Sequence, residues 1–322
     1  MNLIDKKIKA GPKNPLVENL LIIEGISRSG KFLLANILNG LEGIEPSQYS
    51  PLLEQIPFLY SNGLIEKNTA KELIRCEIDM RCYETLIGRN LNVRPSDKSS
   101  IYNIPNHQRF LDRAKDPDGE IALRKFYEQA NYSLFILHES LANIRIYFET
   151  FPNMKCISLV RNPLALAYSW YKRGLGKRWG TDPLLFEIPF TKTNNKVFPW
   201  FAMGWEDLYL KLNEIDRSIL SIKSLANMAK KTYKDLPSDI KKRILIVSFE
   251  NLTQDPESEI KRICNFLNKK ALPEMKEILK REKLPIRDQK DKQKETLRKI
   301  GNIAKSQHLE ELLKLSTNYL KD

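Results

Sequence analysis

Four short runs of apolar and β-branched residues stand out along the chain: LLII (Leu20–Ile23), YSLFIL (Tyr132–Leu137), CISLV (Cys156–Val160) and ILIVSF (Ile244–Phe249). Each is continuous rather than alternating, the pattern of a strand buried on both faces. Each is followed by helical periodicity. An amphipathic stretch follows the first from Phe32, further helical patterns lie near Ile65–Arg89 and Ile121–Gln129, and a second block runs from Pro199 to Asp235. Ile260, Ile263, Phe266 and Leu267 form an apolar stripe at helical spacing, and Pro273 to Leu320 is helical again. The pattern predicts an α/β fold, a parallel β-sheet flanked by helices. We expect one domain over residues 1–322, with helical insertions at about 45–131 and 174–240 and a helical tail over 273–322. No stretch rich in Gly, Ser or Pro divides it, and there is no internal repeat.

At 322 residues, with 42% hydrophobic and 29% charged residues, the chain has the composition of a soluble globular protein. No apolar run reaches the length of a membrane span, and the first fifteen residues have no secretory pattern, so a cytoplasmic protein is expected. Four cysteines without C-x-x-C spacing fit reduced thiols, and three histidines without ligand spacing leave no expected metal site. The net charge of +13 favours anionic partners. Much of the excess lies in Lys241–Lys305 as solvated helix faces, without any nucleic-acid-binding motif, so no nucleic-acid partner is expected.

In parallel sheets, ligands bind beyond the carboxyl ends of the strands. The first strand runs into EGISRSGKF (residues 24–32), where Gly25 to Lys31 fit the phosphate-loop spacing G-x-x-x-x-G-K. The two glycines allow close backbone approach, Arg28 and Lys31 add charge, and the following helix presents free amides. A nucleotide loop of this type closes with Ser or Thr to hold Mg²⁺. Here Phe32 stands in that place, and no other strand ends in the Asp that would complete a magnesium site. That argues against a kinase acting through Mg-nucleotide but leaves anion binding intact. The third strand ends in Arg161, followed by the N-cap Asn162 and by Pro163 at the first helical position. Ser169 lies two turns along that helix and Arg173 one turn further. Taken alone, this is a capped helix start; with Ser169 and Arg173 it could converge on a phosphate. The fourth strand leads to Phe249-Glu250 and then to Asp255-Pro256, another capped start.

At these three stretches together the chain resembles the sulfotransferases that use 3′-phosphoadenosine 5′-phosphosulfate (PAPS). Their 5′-phosphosulfate loop commonly reads RSGTT, matched by Arg28, Ser29 and Gly30, with Lys31 and Phe32 in place of the threonines. Their R-[ND]-P motif and following Ser are matched by Arg161, Asn162, Pro163 and Ser169, and a later Y-E-D-L…D-P-E by Phe249-Glu250-Asn251-Leu252 and Asp255-Pro256-Glu257. The resemblance covers roughly residues 18–270 and implies a P-loop-like fold with PAPS bound by Arg28, Ser29, Gly30, Lys31, Phe32, Arg161, Ser169 and Phe249, without metal. It implies in-line transfer of a sulfuryl group to a hydroxyl or amine, with Lys31 and Arg28 stabilising the departing phosphate. In several branches a histidine at the end of the second strand is the general base, which gives His138 that role; other branches use a carboxylate after the first helix, where Glu45 and Glu54 stand. Arg281 and Arg287 are expected to close over the nucleotide. The acceptor stays open: glycan, glycolipid, other lipid, peptide tyrosine or small phenol, with Trp179 either contacting a sugar ring or filling a groove. A P-loop kinase and a non-catalytic anion- or glycan-binding relative are the alternatives.

Overall fold

The computed structural model describes residues 9–116, 118–191, 195–286 and 289–320. Four strands, β1 (Leu20–Glu24), β2 (Ser133–Ile136), β3 (Lys155–Val160) and β6 (Ile244–Ser248), form one sheet in the order β2-β1-β3-β6. Every pairing in it is parallel, with Leu21 facing Leu134 on one side and Lys155 on the other. The four apolar runs are therefore the sheet. Between β3 and β6 lies a short antiparallel hairpin of β4 (Phe190–Thr191) and β5 (Val197–Phe198), too brief to leave a pattern in the sequence.

The continuous apolar character of β1 follows from its position. Leu20 and Ile22 face one core and Leu21 and Ile23 the other, and none of the four is exposed. On the first face lie α2 (Pro51–Ser61) and α3 (Lys67–Leu86), supplying Leu53, Ile56, Ile74 and Ile78. On the second face α1 (Lys31–Leu38) and the helix Pro256–Leu267 supply Leu34, Ile37, Ile260 and Ile263. A third core joins the helix Pro163–Lys172, the long helix Glu214–Lys234 and the helix Ser306–Asn318, centred on the fully buried Trp170.

The helix starts read from Asx-Pro pairs are formed. Asn162 accepts from the amide of Leu164 at 2.9 Å, and Asp255 from that of Ser258 at 3.2 Å. One boundary differs: β6 stops at Ser248, whose hydroxyl accepts from the Asn251 amide at 3.3 Å, so Phe249 opens a short helix instead of ending the strand. A hydroxyl that caps the next turn outweighs the strand preference of one aromatic residue.

The sheet leaves very little room at the end of β1. A Cβ built on Gly25 (φ +151°) would stand 2.4 Å from the carbonyl oxygen of Leu159 on β3. Gly25→Ala is therefore expected to destabilise the fold by about 2 kcal/mol or more, read as a lowered urea midpoint. A loss below about 0.5 kcal/mol would show that the approach is not tight.

Candidate active site

The three parallel strands β2, β1 and β3 end side by side, and their following loops line one cleft of about 1120 Å³. At its floor is the loop after β1. Arg28 and Gly30 take left-handed backbone conformations, with φ 75° and 107°. These turn the chain so that α1 starts at Lys31 without a side-chain cap and without an acidic residue in its first turn. Its first amides and positive dipole end are thus left for a ligand anion.

Three cations gather beside that helix start. Arg28 donates through Nε to Ser169 Oγ at 3.2 Å, and Arg161 donates to the Arg28 carbonyl at 2.8 Å. The Arg161 guanidinium stacks on the Phe249 ring, 4.2 Å from its centroid, and a Cβ on Gly30 would strike that ring. Burial lowers the pKa of Arg161, and proximity to Arg28 adds to the effect against the opposing pull of Glu250. Arg28 is lowered by burial and by Arg173. Arg161 Nε and Ser29 Oγ are buried with no hydrogen-bond partner among the described residues. Crowded cations with an unused donor form a site that an anion would complete.

Glu250 is held in place by other partners, accepting from the Asn162 amide at 3.0 Å and from the Tyr319 hydroxyl at 2.9 Å. Ser316 Oγ also accepts from the Leu164 amide, at 3.1 Å. The C-terminal helix therefore braces the segment that carries Arg161.

Lys31 points the other way from what its exposed-loop position suggests. Its ammonium is buried and donates to the carbonyls of Gly25 (2.6 Å) and Ile26 (3.2 Å). Burial lowers its pKa, opposed by Glu139, Glu24 and Glu54. Burial raises the carboxyls of Glu24 and Glu139. Glu24 accepts from Ser158 Oγ and from the Leu141 amide, while Glu139, at φ 52°, accepts from the Ser27 amide at 2.6 Å. Phe32, in the place of a magnesium-binding hydroxyl, lines the cleft and packs on the second-face core.

At the end of β2 the two candidate bases meet. His138 Nδ1 lies 2.7 Å from Glu54 Oε1, and the same oxygen accepts from the His138 amide at 2.6 Å. Glu54 comes from the first turn of α2, and Tyr49 donates to its other oxygen at 3.4 Å. The Tyr49 ring stands edge-on to the imidazole, 5.4 Å between centroids. With Nδ1 occupied by a carboxylate, Nε2 is the atom left to face the cleft. Glu45 is elsewhere, paired with Arg113 at 2.6 Å and with Asn131 at 3.0 Å, outside the cleft lining. Arg281 donates to the Asn103 carbonyl at 2.7 Å and is likewise not part of the lining, while Arg287 falls outside the described residues. Trp179 lines the cleft and packs on Trp170 and Phe201, with ring centroids 5.8 and 5.3 Å apart.

Residues 20–310 match the family described as the sulfotransferase domain. The chain belongs to the sulfotransferase family. Among curated proteins none is significantly similar to it. Solved structures similar to it include the sulfotransferase domain from the curacin biosynthetic pathway (16% identity, 80% of this chain and 77% of that one, TM-score 0.43). They also include the sulfotransferase domain of the Synechococcus PCC 7002 olefin synthase (19% identity, 84% and 79% covered, TM-score 0.41). A third is the sulfotransferase STF9 from Mycobacterium avium (14% identity, 82% and 67% covered, TM-score 0.39). No group of three or more metal-ligating side chains occurs among the described residues, and no helix there is long and apolar enough to cross a membrane.

Sequence reading missed Glu139 and Glu187 as parts of the cleft lining, and Glu24 as a buried carboxyl near Lys31. Glu139 follows His138 directly and Glu24 ends the first apolar run, but the left-handed backbone and the buried charge that give them meaning are not visible as pattern. The geometry of Lys31 makes it a tie for its own loop, so Lys31→Met is expected to destabilise the fold by about 2 kcal/mol, the cost of leaving buried carbonyls without their donor. Chemical denaturation measures it; unchanged stability would mean that the ammonium is not needed where it lies.

Proposed function

We propose that this sulfotransferase moves a sulfuryl group from PAPS to a hydroxyl, or an amine, of its acceptor, with His138 as general base. The observation that carries the reading is the cleft itself, which has crowded cations and an uncapped helix start at the ends of β1 and β3 and an oriented histidine at the end of β2. The unpartnered Nε of Arg161, a residue of the cleft lining, fits a phosphorylated donor, whereas Ser29 lines a neighbouring cavity and not the cleft. When bound, the donor supplies an activated sulfuryl group whose departure leaves 3′-phosphoadenosine 5′-phosphate.

Arg161, stacked on Phe249 and tied to the loop through Arg28, would hold the 3′-phosphate with Ser169 beside it. Arg28 and the α1 amides would stabilise charge on the 5′-phosphate as the sulfuryl group leaves it. Lys31 would act at one remove, fixing the carbonyls of the loop so that its amides point at the ligand; its contribution is positional and electrostatic. The acceptor hydroxyl would be placed against His138 Nε2, which takes its proton during attack. Glu54 keeps Nδ1 protonated and stabilises the imidazolium that results, while Tyr49 limits rotation of the carboxylate. Phe32 fits this chemistry because no residue of the loop has to hold a metal.

Calorimetry separates this donor from ATP·Mg²⁺. 3′-Phosphoadenosine 5′-phosphate should bind more tightly, and Arg161→Ala should weaken it at least tenfold, in line with the loss of a charge-assisted contact of about 1.5 kcal/mol or more. Preference for ATP·Mg²⁺ would sink the proposal. His138→Ala should lower turnover by roughly 10²- to 10⁴-fold with donor affinity intact. Glu54→Gln should lower it less; a full-rate His138→Ala enzyme would place the base elsewhere.

A further inference from the structure

The cleft has a polar feature that sulfuryl transfer does not use. Its lining includes Trp179 and Leu184 to Glu187, from the stretch after the helix bearing Ser169. Arg178 pairs with Asp182 at 2.6 Å, and Asp182 accepts from the Leu184 amide at 2.9 Å, which turns the chain back. Glu187 thereby returns to Gly180 and accepts its amide proton through Oε1. Trp179, next to Gly180, is anchored by Trp170 and Phe201, so its ring position is fixed by the core.

Two atoms of this turn are left over. Trp179 Nε1 and Glu187 Oε2 are both buried and have no hydrogen-bond partner among the described residues, and both residues line the cleft. Buried polar atoms in folded proteins almost always find partners, so an open pair on a cleft wall asks what fills it. The indole can only donate and a carboxylate can only accept. A hydroxyl suits either atom, accepting from the indole or donating to the carboxylate. An ammonium has no lone pair for the indole, an ether has no proton for the carboxylate, and an anion would meet Glu187 and Glu139 together. Burial pushes the Glu187 carboxyl up to about 7, so above that pH it is the acceptor-only carboxylate, which a donated hydrogen bond stabilises.

We propose that Trp179 and Glu187 form a hydroxyl-binding subsite, and that the acceptor is polyhydroxylated, with one or two neighbouring hydroxyls held here while another meets His138. The inference rests on the sulfuryl-transfer reading for the reacting hydroxyl, but the subsite itself can be probed without turnover. The four tryptophans give four indole N–H resonances, and Trp179→Phe assigns the relevant one while keeping an aromatic ring in the core. Titration with methyl β-glucopyranoside should shift the Trp179 resonance saturably, whereas cyclohexylmethanol, with a single hydroxyl, should not. By calorimetry the glucoside should bind at least tenfold more weakly to Trp179→Phe and to Glu187→Gln. No shift with the glucoside, an equal shift with cyclohexylmethanol, or unchanged affinity in Trp179→Phe would overturn the subsite and leave water as the partner of both atoms. Binding of 3′-phosphoadenosine 5′-phosphate to the same samples keeps the two proposals apart. If it binds and the glucoside does not, only the subsite fails; if the glucoside binds and it does not, only the donor reading fails.

Discussion

The arrangement of the cleft depends on one buried ammonium. Lys31 projects back beneath its own loop onto the carbonyls of Gly25 and Ile26, among the carboxyls of Glu24 and Glu139. An unpaired lysine could not stay in such a place. Those two carboxyls are themselves spent on the surrounding backbone, Glu24 on Leu141 and Glu139 on Ser27. These two carboxyl–amide bonds, set around the Lys31 charge, tie the end of β1 and its loop to the segment after β2, and the distance between the phosphate-type loop and His138 becomes a property of the fold instead of a property of flexible side chains.

The same economy governs the histidine. Glu54 uses one oxygen for both the His138 amide and its Nδ1, so backbone and ring are oriented by a single group. The two carboxylates near the first helix are separated by their neighbours. Glu45 is neutralised by Arg113 in a structural pair, whereas Glu54 faces a hydroxyl and an imidazole. Acid–base chemistry needs a partner that can gain a proton, and only the second setting offers one.

Much of the fold was legible in the sequence because strands buried on both faces cannot alternate, and all four continuous runs lie in the sheet. The Asx-Pro starts were legible for an equally local reason. The short hairpin and the true start of the Phe249 helix were not, since each is decided by one or two hydrogen bonds. In the site, Arg28, Arg161 and Ser169 could be picked out by spacing and are brought together. The relation between His138 and Glu54 could not be read, because they lie 84 residues apart and the sequence shows them only as alternatives. Lys31 shows the converse limit: spacing locates a residue but does not say which way its side chain turns, and here burial decided it.

The bracing of Arg161 by the C-terminal helix has a kinetic consequence. Ser316 meets Leu164 across 152 positions, and Arg28 meets Ser169 across 141. Contacts this remote in sequence are costly in loop-closure entropy and form slowly. The cleft therefore takes shape with the parallel sheet, whose strands pair across similarly long stretches of chain, and after the local helices. A partly folded chain would hold much of its secondary structure while lacking the cation cluster, which makes anion binding a sensitive reporter of the final stage of folding.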